Sequence, residues 1–248
     1  MSQLFKNIKS KSKKVARSLL PSSIKQKLAV PSIGQIDFGD LRRLNPIDPN
    51  FGFSRGKVID RYYIEKFLKH HCEDIQGRVL EIGDNTYTQM FGGNKVKFSD
   101  VLNYTKDDPK STIIADLTKA DNIDSNIFDC IIVTQTLQMI YDFKSALKHL
   151  HRILKPNGVL LATSHGTSKI DRILGVDSWG EYWRFTGQSS KIMLEEFFDP
   201  NKVKVVSYGN VLAAVSFLHG LTAQDLTTDE LNYHDPKYEI LVGVRAVK

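Results

Sequence analysis

RVLEIGDNTYTQMFGGNKVKFSD, residues 78–100, opens on the apolar run Val79-Leu80-Glu81-Ile82 and breaks at Gly83. A second strand-like run, Lys95 to Ser99, ends at Asp100, an acid 19 positions after Glu81. A strand, a glycine turn, a connector and a strand closed by a carboxylate are the layout of a mononucleotide-binding βαβ unit. The turn lets backbone approach a ligand, and the carboxylate accepts hydrogen bonds from ribose hydroxyls.

The alternation continues outward from this stretch. Upstream, Ile59, Tyr63, Ile64, Phe67 and Leu68 repeat at helical spacing, which predicts a helix packed on the sheet. Downstream, strands are expected over 112–115 (ending at Asp116), 128–133 and 159–163. Between the last two, FKSALKHLHRIL (143–154) is an amphipathic helix stopped by Lys155-Pro156-Asn157-Gly158. Residues 164–186 form a polar and aromatic insert, and Thr186 is placed to cap a helix through Phe198. Lys202 to Tyr208 and Tyr238 to Val247 read as two final strands. Apolar strands alternating with amphipathic helices imply a mostly parallel α/β sheet covered on both faces.

In such sheets ligands bind outside the carboxyl ends of the strands. Those ends read Gly83-Asp84-Asn85, Asp100, Asp116, Thr134-Gln135-Thr136 and Ser164-His165-Gly166. All five are polar, which suits a nucleoside-like ligand. A dinucleotide turn needs a second glycine beside the pyrophosphate, but Asn85 and Tyr87 stand two and four residues after Gly83. That disfavours an NAD-dependent oxidoreductase. No glycine loop is followed by GK[ST], so a P-loop is absent too. A ligand with ribose and adenine but no phosphate tolerates side chains at this turn, and S-adenosylmethionine is one.

The chain has 248 residues with 41% hydrophobic and 25% charged, ordinary globular values. No apolar run approaches the ~18 residues of a membrane span. Cys72 and Cys130 form no metal or disulfide pattern, which fits a reducing, cytoplasmic compartment, and no His/Cys/Asp grouping has metal-ligand spacing. Residues 1–30 carry eight Lys and Arg and no acid; set against the net +6 of the whole chain, this leaves −2 on the remainder. The basic character belongs to an arm, not to a nucleic-acid-binding face. Residues 2–20 fit two readings. One is an amphipathic helix lying on an anionic inner-membrane surface or docking on a protein partner through residues 1–28. The other is a solvated flexible tail, which the thin apolar face favours. Residues 31–56 read as a turn-rich lead-in and 57–248 as the folded domain.

With these motifs the chain resembles class I S-adenosylmethionine-dependent methyltransferases. VLEIGD (79–84), Asp100, ADL (115–117), FDCIIVTQTLQMI (128–140), HRILKPNGVLLAT (151–163) and YWRFT (182–186) carry the likeness, over roughly residues 55–248. The resemblance implies a Rossmann-like seven-stranded sheet with the last strand antiparallel, and methyl transfer to an oxygen, less readily a nitrogen, of a small molecule or glycan. It implies that Asp100 holds the ribose and that Asp116 and Leu117 flank the adenine. Gly83 and Asp84 would approach the methionine part, with Thr134 and Gln135 beneath it. Glu81 would act through the turn, and Arg55 either pairs with the cofactor carboxylate or makes a structural salt bridge. The departure is GDNTYT, where the family usually has further glycines; it leaves open a non-catalytic scaffold module in a glycan-assembly complex. The lead-in FGFSRGKVIDRYYIEKFL and the late HDP resemble methyltransferases encoded with bacterial glycan-assembly enzymes.

On the acceptor side, His165 is the candidate base, because a hydroxyl must lose its proton as it is methylated; the plain alternative is a loop histidine. Trp179 and Tyr182 are candidate platforms for an acceptor ring, and Asp177 for its hydroxyl. Trp183 and Phe185 read as core or lid.

Overall fold

In the computed structural model, residues 31–106, 108–171 and 180–248 are described. Residues 45–248 form one compact unit. Within the described part of residues 1–44 there is one 3-10 turn, Gly39–Leu41, with the Arg42 guanidinium 5.0 Å from the centre of the Phe38 ring. The basic arm lies outside the described residues.

The compact unit holds strands β1 (Gly77–Ile82), β2 (Val96–Asn103), β3 (Ile113–Ile114), β4 (Phe128–Thr134), β5 (Leu154–His165), β6 (Val203–Tyr208) and β7 (Leu241–Val247). Their order in one sheet is β3-β2-β1-β4-β5-β7-β6. All neighbouring pairs are parallel except those of β7, which runs antiparallel to both β5 and β6. Strand order reverses between β1 and β4, so the crevice for a ligand lies above their carboxyl ends.

Helices α1 (Ile59–His70), α2 (Phe143–Ile153), α3 (Gly187–Glu195), α4 (Val211–Leu218) and α5 (Thr228–Asn232) surround the sheet. Side chains alternate along each strand, which gives two cores. On one face Leu80, Leu102, Ile131, Val133 and Leu160 pack against Leu147 and Leu150 of α2. On the other, Val79, Ile132 and Leu161 pack against Tyr63, Ile64 and Phe67 of α1 and Phe217 of α4. Cys130 is buried in this second core as a plain packing residue.

Several sequence boundaries move. Helix α2 starts where Asp142 accepts from Ser145 N–H (3.1 Å) and ends at Ile153, one residue before the expected Leu154, which opens β5, so the Lys155–Gly158 stop lies inside the strand. Helix α3 has the expected Thr186 cap, in a reciprocal pair with Ser189, yet ends at Glu195 rather than Phe198. Between β1 and β2 there is no full helix. A single π turn, Thr88–Gly92, and a 3-10 turn, Gly93–Lys95, fill the gap. Gly92 permits this close passage, since a Cβ there would lie 2.3 Å from Val96 Cγ2. The change that moves a site residue is in β2. Val101 and Leu102 are buried and carry it past Asp100 to Asn103.

Candidate active site

The turn after β1 is held by side chains where glycines were expected. Glu81 is buried on the α1 face, and its two carboxylate oxygens accept the N–H groups of Tyr87 (3.1 Å) and Thr88 (2.7 Å). Burial pushes its carboxyl up to about 7, against the pull of those hydrogen bonds. Gly83 takes φ 93°, donates its N–H to Leu102 O, and has open space where a Cβ would stand. Asp84 Oδ1 caps the next turn through Thr86 N–H (2.8 Å). The Asn103 amide donates to the Gly83 carbonyl at 3.0 Å, tying the ends of β1 and β2. The altered turn is therefore ordered and open toward the crevice.

Asp100 is not at that crevice. It pairs with Leu80 inside the sheet, and both its oxygens are taken, by Arg78 Nε (2.7 Å) and Thr112 Oγ1 (3.0 Å). The polar residue at the end of β2 is Asn103. The apolar Val101-Leu102 was the signal that the strand continues. Arg55, for which a cofactor carboxylate and a structural salt bridge were both open, makes a bidentate pair with Asp225 (2.9 and 2.8 Å).

A different arginine faces the turn. Arg61, on the first turn of α1, donates to the Tyr87 hydroxyl at 3.0 Å. Burial opposes its charge, but Tyr87, Asp60 and Asp84 outweigh this and raise its pKa. Its neighbour Asp60 reaches the end of β5 instead. Since β4 lies between β1 and β5, the first turn of α1 spans the mouth of the crevice. Arg61 lies in the region before the sheet that the resemblance places over the cofactor, whereas Asp60 did not stand out in the sequence, because it sits in a helix whose apolar repeat explained it.

Along the crevice, Asp116 Oδ1 caps the Leu117–Lys119 turn through the Thr118 N–H and hydroxyl (both 2.8 Å), leaving Oδ2 without a partner among the described residues. Leu117 is buried beside it. At the end of β4, Thr134 pairs with Thr163 of β5. Gln135 follows in the left-handed region (φ 51°), which costs a non-glycine residue about 1–3 kcal/mol. Its side-chain carbonyl accepts from Gln138 (2.8 Å), while its own amide nitrogen is buried without a partner among the described residues. Such strain and an orphaned donor fit a group completed by a ligand.

His165 is the last residue of β5 rather than the first of a loop, and it is buried. Its Nε2 lies 3.1 Å from Asp60 Oδ2, and its Nδ1 lies 3.7 Å from Glu181 Oε1. Glu181 in turn accepts from Arg184 Nη1 (2.6 Å) and from the Asp171 N–H (2.8 Å). These donors and His165 bring its carboxyl down to about 2 despite burial. Burial opposes a charged His165 ring, but the two carboxylates prevail and its pKa is raised.

Tyr182 is exposed, its ring edge-on to Tyr141 with centres 5.4 Å apart. Trp183 stacks on Tyr141 and packs against Phe143, while Phe185 is buried. Asp177 and Trp179 lie outside the described residues. A cavity of ≈ 550 Å³ is bordered by Gly166, Arg184, Thr186, Gln188 and Lys237 and is not lined by His165 or the crevice residues. A second, of ≈ 500 Å³, lies between α1 and β6 and touches none of the crevice residues.

The profile of a family described as a methyltransferase domain matches residues 52–204. This chain belongs to that methyltransferase family. The expectations of an enzyme of methyl transfer and of S-adenosylmethionine as its cofactor stand with that membership. No curated protein matches this methyltransferase in sequence. Among solved structures, an S-adenosylmethionine-dependent methyltransferase from Archaeoglobus fulgidus matches with TM-score 0.52 and 14% identity, over 81% of this chain and 100% of that one. One from Mesorhizobium loti matches with TM-score 0.50 and 13% identity, over 77% and 98%. At such identities the likeness concerns the fold, and the sheet order of this methyltransferase agrees with it.

Proposed function

We propose that this methyltransferase moves the methyl group of S-adenosylmethionine onto a hydroxyl oxygen of a small molecule or glycan. The observation that carries the reading is the crevice at the β1/β4 switch point, roofed by the first turn of α1. The residues fit the cofactor. Gly83 leaves open space, Arg61 offers a cation suited to a carboxylate, and Gln135 holds a buried unpartnered donor. Asn103, through Oδ1, and Asp116, through Oδ2, would hold the ribose and the adenine. When bound, S-adenosylmethionine supplies an electrophilic methyl on a sulfonium. The chain's part is to orient the acceptor in line with it, keep water out and take up a proton.

The preference for oxygen rests on His165 at the end of β5; the next residue, Gly166, borders a cavity large enough for a sugar-sized acceptor, which His165 itself does not line. Arg184, Lys237 and Thr186 give that cavity a polar border suited to a hydroxylated molecule. The scaffold alternative drew its support from the altered turn; with Glu81 and Asn103 ordering that turn, nothing favours it. The test is incubation with methyl-labelled S-adenosylmethionine and a panel of glycosides and simple amines. O-methylated glycoside is the expected product. Label only on amines, or on neither class while the cofactor binds, would contradict the acceptor assignment.

A further inference from the structure

The second half of α1 gathers bases on one side, since Lys69 and His70 stand three and four positions after Lys66. Lys204 and Tyr208, four positions apart on β6, share a face of the outer strand of the sheet. Helix and strand meet where the Tyr208 ring stacks on Tyr63, with centres 5.6 Å apart. The cavity of ≈ 500 Å³ between them is lined by Lys66, Lys69, His70, His71, Lys204, Tyr208 and the two valines between the last pair.

None of the three lysines has a carboxylate partner among the described residues. The acids of α1 and of the turn after it are taken elsewhere, Asp60 by His165, Glu65 by Lys57 and Glu73 by Lys95. Asp74 lies 3.7 Å from His71 Nδ1, but Arg245 holds both its oxygens. Strand β6 has no acid. Lys66 finds a neutral partner, donating to Asn232 Oδ1 at 2.6 Å. Burial, and then the charges of His70, Arg245 and Lys204, hold the His71 ring down at about 4 against the pull of Asp74. Three lysine charges therefore stand uncompensated around one cavity. They do so within residues 31–248, whose net charge is −2, the +6 of the chain less the +8 of residues 1–30.

No arginine lines the cavity. The arginine fork suits planar carboxylates, whereas lysine acts as a point charge suited to phosphoryl oxygens. The volume is more than a bare phosphate group needs and falls in the range of small-molecule sites. Tyr208 and the valines give the rest of a ligand an apolar wall.

We propose that this cavity is a second binding site, for a small molecule carrying a pyrophosphate group on an organic body. It goes beyond the methyl-transfer reading and does not rest on it. Helix α1 meets the crevice with its first turn and this cavity with its last, about 12 Å along the helix from Arg61 to Lys69.

The test is calorimetric titration of the full chain with two probes. Inorganic pyrophosphate carries the charges alone; uridine diphosphate adds a body but lacks the adenine that suits the crevice. Both are expected to bind, uridine diphosphate more tightly, and both more weakly as salt is raised. Lys69 and Lys204 are exposed, so replacing them spares the core. Lys69→Gln combined with Lys204→Gln should weaken each probe about tenfold or more. Lys148→Gln, on α2 across the sheet, should leave affinity within about twofold. Saturating S-adenosylhomocysteine should change neither affinity. In ¹⁵N-histidine spectra, pyrophosphate should move the His70 and His71 signals and leave those of His165 in place. No binding of either probe, equal weakening by Lys148→Gln, or displacement by S-adenosylhomocysteine would overturn the proposal. Uridine diphosphate binding no tighter than pyrophosphate would overturn the organic body.

Discussion

Asn103 Nδ2 lies 3.0 Å from the carbonyl oxygen of Gly83, and with the Gly83 N–H donated to Leu102 O this bond joins the glycine turn of β1 to the end of β2. It places an amide where a carboxylate was expected, with Asp100 three residues earlier and wholly engaged by Arg78 and Thr112. The two residues make opposite predictions. Asn103→Ala should weaken binding of S-adenosylhomocysteine about tenfold, the worth of roughly one hydrogen bond plus a loosened turn. Asp100→Ala should leave affinity within about twofold and instead lower stability, because it strands the Arg78 guanidinium beside the sheet. Calorimetric titration and urea unfolding of the two variants check this.

The two arginines separate in the same way. Arg61→Ala should weaken the cofactor about tenfold or more, since a charged hydrogen bond is worth roughly 1.5–3 kcal/mol. Arg55→Ala removes a part-exposed pair with Asp225 and should cost only about 0.5–1 kcal/mol of stability, with cofactor affinity unchanged.

Much of this fold was legible because its signals are local. The runs at 79–82, 128–133 and 159–163 are apolar whatever surrounds them, and the periodicity of Ile59 to Leu68 points one way. The site was legible only where a strand end coincides with a polar residue, as at Gly83, Asp116, Gln135 and His165. It failed at Asp100, where a polar residue interrupts a strand that continues, because Arg78 on the neighbouring strand pairs with it. The partners Asp60 and Glu181 could not be read, since contacts between separate parts of the chain, across 105 residues in the case of Asp60, leave no trace in spacing.

Glu81 makes stability depend on pH with an unusual sign. Its folded pKa, about 7, lies above the ordinary 4.5, so its contribution is complete below about 4.5 and is lost as pH rises through 7. The loss is on the order of 3 kcal/mol for a shift of this size. Urea midpoints should therefore fall between pH 5 and 8 more steeply in the wild type than in Glu81→Gln. Parallel curves for the two proteins would contradict the assignment.

Gly243 of β7 lets α1 approach the sheet. A Cβ there would stand 2.6 Å from Phe67 Cδ2. Gly243→Ala should cost about 1–3 kcal/mol by overpacking, and, because α1 carries Arg61, should also weaken the cofactor. Thermal unfolding and calorimetry on one sample read both effects.

The most direct measurement is calorimetric titration of S-adenosylhomocysteine into the wild type, Arg61→Ala, Asn103→Ala and Asp100→Ala. Micromolar binding to the wild type, weakened in Arg61→Ala and Asn103→Ala but kept in Asp100→Ala, is the predicted result. No binding to the wild type, or loss in Asp100→Ala alone, would contradict the crevice described for this methyltransferase.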